Sequence, residues 1–279
     1  MARLVRGAPD CGREPPGQLE VWSVAEPNDR FRRVFFEVFE ALPRQGPGNR
    51  ASAARALALC HALPPTPSIL DLGCGVGGQT LILAELTSSI ITAIDNHAPF
   101  IARLRSTVAA RGLEQRIRPL VADMAAPGLP PGGFDLIWSE GALYQLGIEP
   151  ALLVCRDLLR PCGHLAFTDA VWRKANPPEE VRAGFESDYP TMGFVNDVLA
   201  IVARSGFELL GHFALPDEAW WDDFYTPMQR RLDELRRKYS GDAETLALLG
   251  RIAREPELHR LYGDYYAYEF FVLRRAIQS

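Results

Sequence analysis

The chain predicts an α/β fold, a doubly wound and mostly parallel sheet of seven strands, on three observations. A short apolar run, Ser68 to Leu72, dissolves into glycines before a helical pattern begins. Short β-branched or apolar runs then recur with helical patterns between them, which is how strand–helix–strand crossovers read. Successive runs end on acids, Asp95, Asp123 and Glu140, at the ends where open α/β sheets hold ligands.

Ile69, Leu70 and Leu72 supply a buried first strand, and Gly73, Gly75, Gly77 and Gly78 allow a tight turn with a close ligand. A helix from Thr80 to Leu86 follows, so its free N–H groups face that turn. Ser88 to Ile94 is the second strand, and Asp95-Asn96 closes it ahead of a helix over Ala98 to Arg111. Asp95 suits either a pair of ribose hydroxyls or a cap on that helix. Ile117 to Val121 is the third strand and leads into Ala122-Asp123-Met124, where an Asp can also bond its own backbone. Gly133 to Glu140 is the fourth. A helix over Glu149 to Leu159 and a turn at Pro161-Cys162-Gly163 lead to a fifth strand ending at Phe167. Asp197 to Ser205 reads as a helix, with Gly206 to Leu215 and Tyr265 to Leu273 as the sixth and seventh strands. Insertions at 171–193 and 216–263 project over the C-terminal edge of the sheet; the second is helical and broken at Ser240-Gly241-Asp242.

Gly73-x-Gly75-x-x-Gly78, with Asp95 beyond it, also spells a dinucleotide fingerprint. Asp71 weakens that reading, because a carboxylate there repels a pyrophosphate and attracts a cationic amino-acid moiety. Leu70 to Gly78 resembles the first motif of class I S-adenosylmethionine-dependent methyltransferases, and Gly133 to Glu140 resembles their fourth strand. The resemblance runs from about Leu42 to Phe167 and continues more weakly to Leu273. It implies S-adenosylmethionine as cofactor, with Asp71, Gly73, Cys74 and Gly75 around its amino-acid end and Asp95 and Asn96 at its ribose. It also implies that Asp123 accepts the adenine amine, that Met124 packs near the base, and that Ser139 and Glu140 lie against the cofactor. The last strand would run antiparallel to its neighbours. The family usually has Pro-Gly-Gly where this chain has Pro161-Cys162-Gly163. Leu42 to Arg50 is similar to a loop lying across the cofactor in a bacterial branch of the family, so Arg44, or the backbone of Gln45 and Gly46, could meet its carboxylate. A plain Pro/Gly turn before a helix capped by Asn49 explains the same residues equally well.

A sulfonium methyl is already electrophilic, so the protein chiefly orients a nucleophile and excludes water. Glu140 is the candidate base, with a cofactor contact as its equal alternative, and Tyr144 one turn on is a candidate substrate-orienting residue. Among the lid aromatics, Trp172, Trp221 and Tyr225 are the candidate substrate contacts, beside a plain packing role. The expected function is methyl transfer to an oxygen or nitrogen of a small molecule. An NAD(P)-dependent oxidoreductase and a catalytically silent cofactor-binding protein are the alternatives.

Composition fits a globular unit over 28–279 preceded by a tail at 1–27 that is expected to be disordered and lacks a signal-like apolar core. With 30 basic against 35 acidic residues and a net charge of −5, the chain has no broad basic field for nucleic acid. No run approaches a membrane span. Five cysteines without ligand spacing point to free thiols, no metal and a cytoplasmic setting. Monomer and homodimer both remain open.

Overall fold

The structure is a computed structural model that describes residues 29–276. The tail expected at 1–27 lies outside them. Seven strands form one sheet in the order β3-β2-β1-β4-β5-β7-β6. They are β1 Ser68–Leu72, β2 Ile90–Asp95, β3 Ile117–Val121, β4 Phe134–Glu140, β5 Leu159–Trp172, β6 Phe207–Ala214 and β7 Tyr266–Arg275. The first five pair in parallel, and β7 runs antiparallel between β5 and β6. This is the doubly wound, mostly parallel sheet the sequence predicts.

Alternation along the strands divides the core into two layers. Ile69, Ile91, Leu136, Trp138 and Phe270 face α2 Arg50–Leu59, α3 Gly78–Leu86 and α4 Ala98–Ala110. Leu70, Ile94, Ile137, Phe167 and Phe271 face the other way, against α5 Ile148–Leu158 and α7 Val195–Arg204. Trp138 is completely buried and meets Phe270 edge-on at 5.2 Å. Burial of a side chain that large contributes about 1.5–3 kcal/mol, so the middle of the sheet is a rigid base for the strand tips.

A third apolar cluster covers those tips. It joins α1 Asp29–Phe39 to the insertion elements: α6 Glu179–Asp188, the short α8 Glu218–Trp220, a π-helical turn Trp221–Tyr225, α9 Thr226–Lys238 and α10 Ala243–Tyr262. Asp242 starts α10 by accepting from Thr245 N at 3.1 Å, which explains the break at Ser240-Gly241-Asp242.

Several boundaries differ from the sequence expectation for local reasons. α7 begins at Val195 rather than Asp197, because the Asp197 carboxylate accepts from Phe194 N at 2.7 Å and holds the first turn. β5 continues past Phe167 to Trp172, since β7 pairs with it along that whole length. Cys162 occupies the left-handed region at φ 63°, the conformation a glycine takes without strain.

Candidate active site

Three strand ends and one crossing loop build the site. After β1 the backbone turns through Gly73 at φ 72° and Gly75 at φ 55°. Gly73 N and Cys74 N both donate to Ile94 O at 2.9 Å, so the turn is tied to the neighbouring strand. A Cβ on Gly75 would sit 2.2 Å from Gln45 Oε1, and one on Gly73 would sit 2.5 Å from the Ala142 Cβ. Only glycine fits at either place.

The segment between α1 and α2 lies over this turn as a strap. Gln45 accepts from Val76 N at 2.9 Å and donates to Phe39 O at 3.0 Å. Arg44 pairs with Glu140 at the tip of β4, with side-chain exposures of only 8% and 6%. Trp138 Nε1 donates to the other Glu140 oxygen at 2.9 Å. Both oxygens of that carboxylate are therefore engaged. Burial pushes the Glu140 carboxyl up while Arg44 and Trp138 pull it down. Asn49 caps α2 by accepting from Ser52 N at 2.8 Å, so a strap and a capped turn coexist in one segment.

Asp71 is 1% exposed and accepts from Thr80 Oγ1 at 2.6 Å. Burial pushes its carboxyl up to about 7 despite that bond, and the negative charges of Glu140 and Asp95 add to the effect. A cation placed here would reverse the shift. Nearby, Arg44 Nη1 and both amide atoms of Gln79 are buried without a hydrogen-bond partner. Buried polar atoms of this kind are normally satisfied. An ammonium toward Asp71 and a carboxylate toward Arg44 Nη1 would satisfy them, so the residues present fit the amino-acid end of an S-adenosylmethionine molecule.

Asp95 holds the backbone that shapes the rest: Oδ2 accepts from Gly75 N at 3.0 Å and Oδ1 from His97 N at 2.8 Å. His97 in turn bonds Glu40 at 2.7 Å and stacks on Phe36 at 3.8 Å. One cavity of about 530 Å³ runs from this loop to the insertions. Its near half is lined by Gln45, Gly46, Asp71, Gly73, Cys74, Gly75, Gln79, Asp95, Asn96, Met124 and Glu140, and its far half includes Tyr144, Tyr189, Trp220 and Tyr225.

Four residues that the sequence singled out are not among those lining the cavity. Asp123 is exposed and bonds its own loop at Ala125 N, 2.8 Å away, while Ala122 and Met124 form the cavity wall there. Ser139 is fully buried and donates to Leu72 O at 2.8 Å, joining β4 to β1. Trp172 stands behind Phe185, whose ring lies on the wall 5.4 Å from it. Trp221 carries the Arg260 guanidinium over its ring at 5.0 Å. Conversely, sequence reading missed Gln79, whose only signal is a polar residue in the apolar first turn after the glycines. It also missed Glu255 and Asp169. Glu255 is one acid among several on a helix, and Asp169 one acid within a strand.

Residues 69–163 match the family model described as a methyltransferase domain, and the seven-stranded sheet is the fold of solved methyltransferase structures. Among solved structures, an S-adenosylmethionine-dependent methyltransferase from Geobacter sulfurreducens in complex with S-adenosylhomocysteine superposes with a TM-score of 0.72 at 20% identity, covering 86% of this chain and 97% of that one. The sterol 24-C-methyltransferase of Gibberella zeae is 26% identical over 172 residues, 59% of this chain and 45% of that protein. The dimethylglycine N-methyltransferase of Parasynechococcus marenigrum is 32% identical over 114 residues, 40% of this chain and 41% of that protein. The chain spans about half the length of the curated relatives it matches. No helix among the described residues is long and apolar enough to cross a membrane.

Proposed function

We propose that the chain transfers a methyl group from S-adenosylmethionine to a nitrogen or oxygen of a small molecule held under the insertions. The observation that carries this reading is the glycine turn with buried, unpartnered Arg44 Nη1 and Gln79 beside a buried Asp71, opening into a cavity lined by aromatic side chains. When bound, the cofactor supplies a sulfonium methyl, which an acceptor lone pair takes as the carbon–sulfur bond breaks and its electrons stay on sulfur. Asp71 holds the ammonium end, Arg44 Nη1 and Gln79 the carboxylate end, and Asn96 and Met124 flank the nucleoside. Asp95 works through the backbone of Gly75 and His97 and offers its remaining lone pairs to the ribose. The covering aromatics exclude water, and much of the acceleration is positional.

Because Asp71 disfavours a pyrophosphate at the turn, a nicotinamide dinucleotide is the poorer fit. Incubation with S-adenosylmethionine and a panel of amines, alcohols and carboxylates, followed by mass spectrometry, tests the proposal. An acceptor 14 mass units heavier, appearing with S-adenosylhomocysteine, is the expected result (a methyl replacing a hydrogen adds about 14 in any methyl transfer). Cofactor binding with no acceptor methylated across the panel would point to a silent binding protein.

A further inference from the structure

The far half of the cavity is acidic and aromatic, and its chemistry narrows the acceptor. Tyr144, Tyr189, Trp220, Tyr225 and Tyr268 present rings there, and Asp188 and Glu255 add carboxylates from two separate insertion elements, α6 and α10. Arg254 also reaches this wall, but its guanidinium is taken by Glu180 and, at 3.1 Å, by Glu257. Glu255 has no ion-pair partner among the described residues; its Oε1 accepts from Tyr225 Oη at 3.1 Å. Behind the wall, Asp169 is 1% exposed with Oδ1 unpartnered, while Oδ2 accepts from Tyr189 Oη at 2.8 Å. Glu255 thus faces several π surfaces in this half of the cavity with no ion-pair partner among the described residues.

We propose that this half of the cavity takes an amine acceptor, bound as its ammonium against Glu255 and the surrounding rings, and that a Glu255 oxygen receives the N–H proton before methylation. The assignment rests on the methyl-transfer reading above and names the substrate class of that same cavity. Ring faces attract a cation, and a carboxylate out of water attracts it more strongly than one at the surface. An acceptor carrying a carboxylate or phosphate at this end would be repelled. In the proton step one N–H bond breaks and one O–H bond forms; the electron pair stays on nitrogen, ready for the methyl, and the proton leaves to water with the product. Burial supports the role, since it pushes the Glu255 carboxyl up to about 7, nearer to an amine than an ordinary glutamate, with Asp188 adding to the rise.

The test compares phenethylamine with its uncharged isostere 2-phenylethanol by calorimetry on protein saturated with S-adenosylhomocysteine. The ammonium is expected to bind at least tenfold tighter than the alcohol. Glu255→Gln should reduce that preference to threefold or less while leaving S-adenosylhomocysteine affinity at the wild-type value, because Glu255 lies in the far half of the cavity. Equal binding of the two probes, no binding of the amine, or a preference that survives Glu255→Gln overturns the inference. If the variant fails to hold S-adenosylhomocysteine, the wild-type comparison alone decides. Wild-type protein that binds no S-adenosylhomocysteine overturns the methyl-transfer reading and this one together; binding without amine preference overturns only this one.

Discussion

Glu140 can be the base of the reaction or the pin that holds the strap, and one perturbation separates the two. Arg44 and Glu140 form a pair whose side chains are 8% and 6% exposed, and Trp138 bonds the second Glu140 oxygen at 2.9 Å. Removing one partner of a buried pair leaves the other charge uncompensated, which costs roughly 3–5 kcal/mol. Glu140→Gln strands Arg44 in this way, so about 3 kcal/mol of unfolding free energy should be lost. Arg44→Met should cost a similar amount by stranding Glu140, although protonation of its burial-raised carboxyl relieves part of that loss. The double variant removes both charges, and its loss should fall short of the sum of the singles by about 2 kcal/mol or more. Urea unfolding of the four proteins measures that coupling, and S-adenosylhomocysteine calorimetry should show Glu140→Gln weakening the cofactor as the strap loosens. Additive losses, with near-wild-type stability and cofactor affinity in Glu140→Gln but abolished turnover, would refute the pin and restore the base.

Asp169→Asn should stabilise the ligand-free protein by more at pH 8 than at pH 5, read as the shift in urea midpoint. Burial lifts the folded-state carboxyl to about 7 from an ordinary 3.8, so the folded protein keeps a proton the unfolded chain has lost, and stability falls as pH rises through that window. A larger gain at pH 5 would contradict the assignment. Gly75→Ala should cost about 1–2 kcal/mol from the φ of 55° alone. Because its Cβ would also press on Gln45 Oε1, S-adenosylhomocysteine affinity should drop at least tenfold; an unchanged affinity would show that the strap does not close over this turn.

The sheet and the near half of the cavity were readable from sequence because both depend on short-range signals. The run Ile69 to Leu72 and the glycines after it define a strand and a turn within a dozen residues, and the acids at the strand tips follow from where each apolar run stops. Asp123 shows the limit: how a loop carboxylate divides its oxygens between backbone and ligand depends on a rotation no pattern encodes, and here Oδ1 accepts from Ala125 N. Lid aromatics are similarly undetermined, since Trp221 and Tyr225 lie on one turn yet only Tyr225 lines the cavity. The Arg44–Glu140 pair spans 96 positions and Tyr225–Glu255 spans 30, so neither could be found without the fold that brings them together. Gln79 alone carried a local hint, as a polar side chain where the helix should be apolar.

The central claim is that the cleft at the tips of β1, β2 and β4 is built for a sulfonium nucleoside and not for a dinucleotide. Thermal unfolding with S-adenosylhomocysteine or NAD, each at matched concentration, tests it most directly. At one hundred times its dissociation constant a ligand adds about 2.7 kcal/mol, which raises the melting temperature of a chain this size by roughly 5–10 °C. S-adenosylhomocysteine should give that rise in the wild type, with little of it left in Asp95→Ala, and NAD should give none. A flat response to S-adenosylhomocysteine, or an equal rise with NAD, would contradict the account.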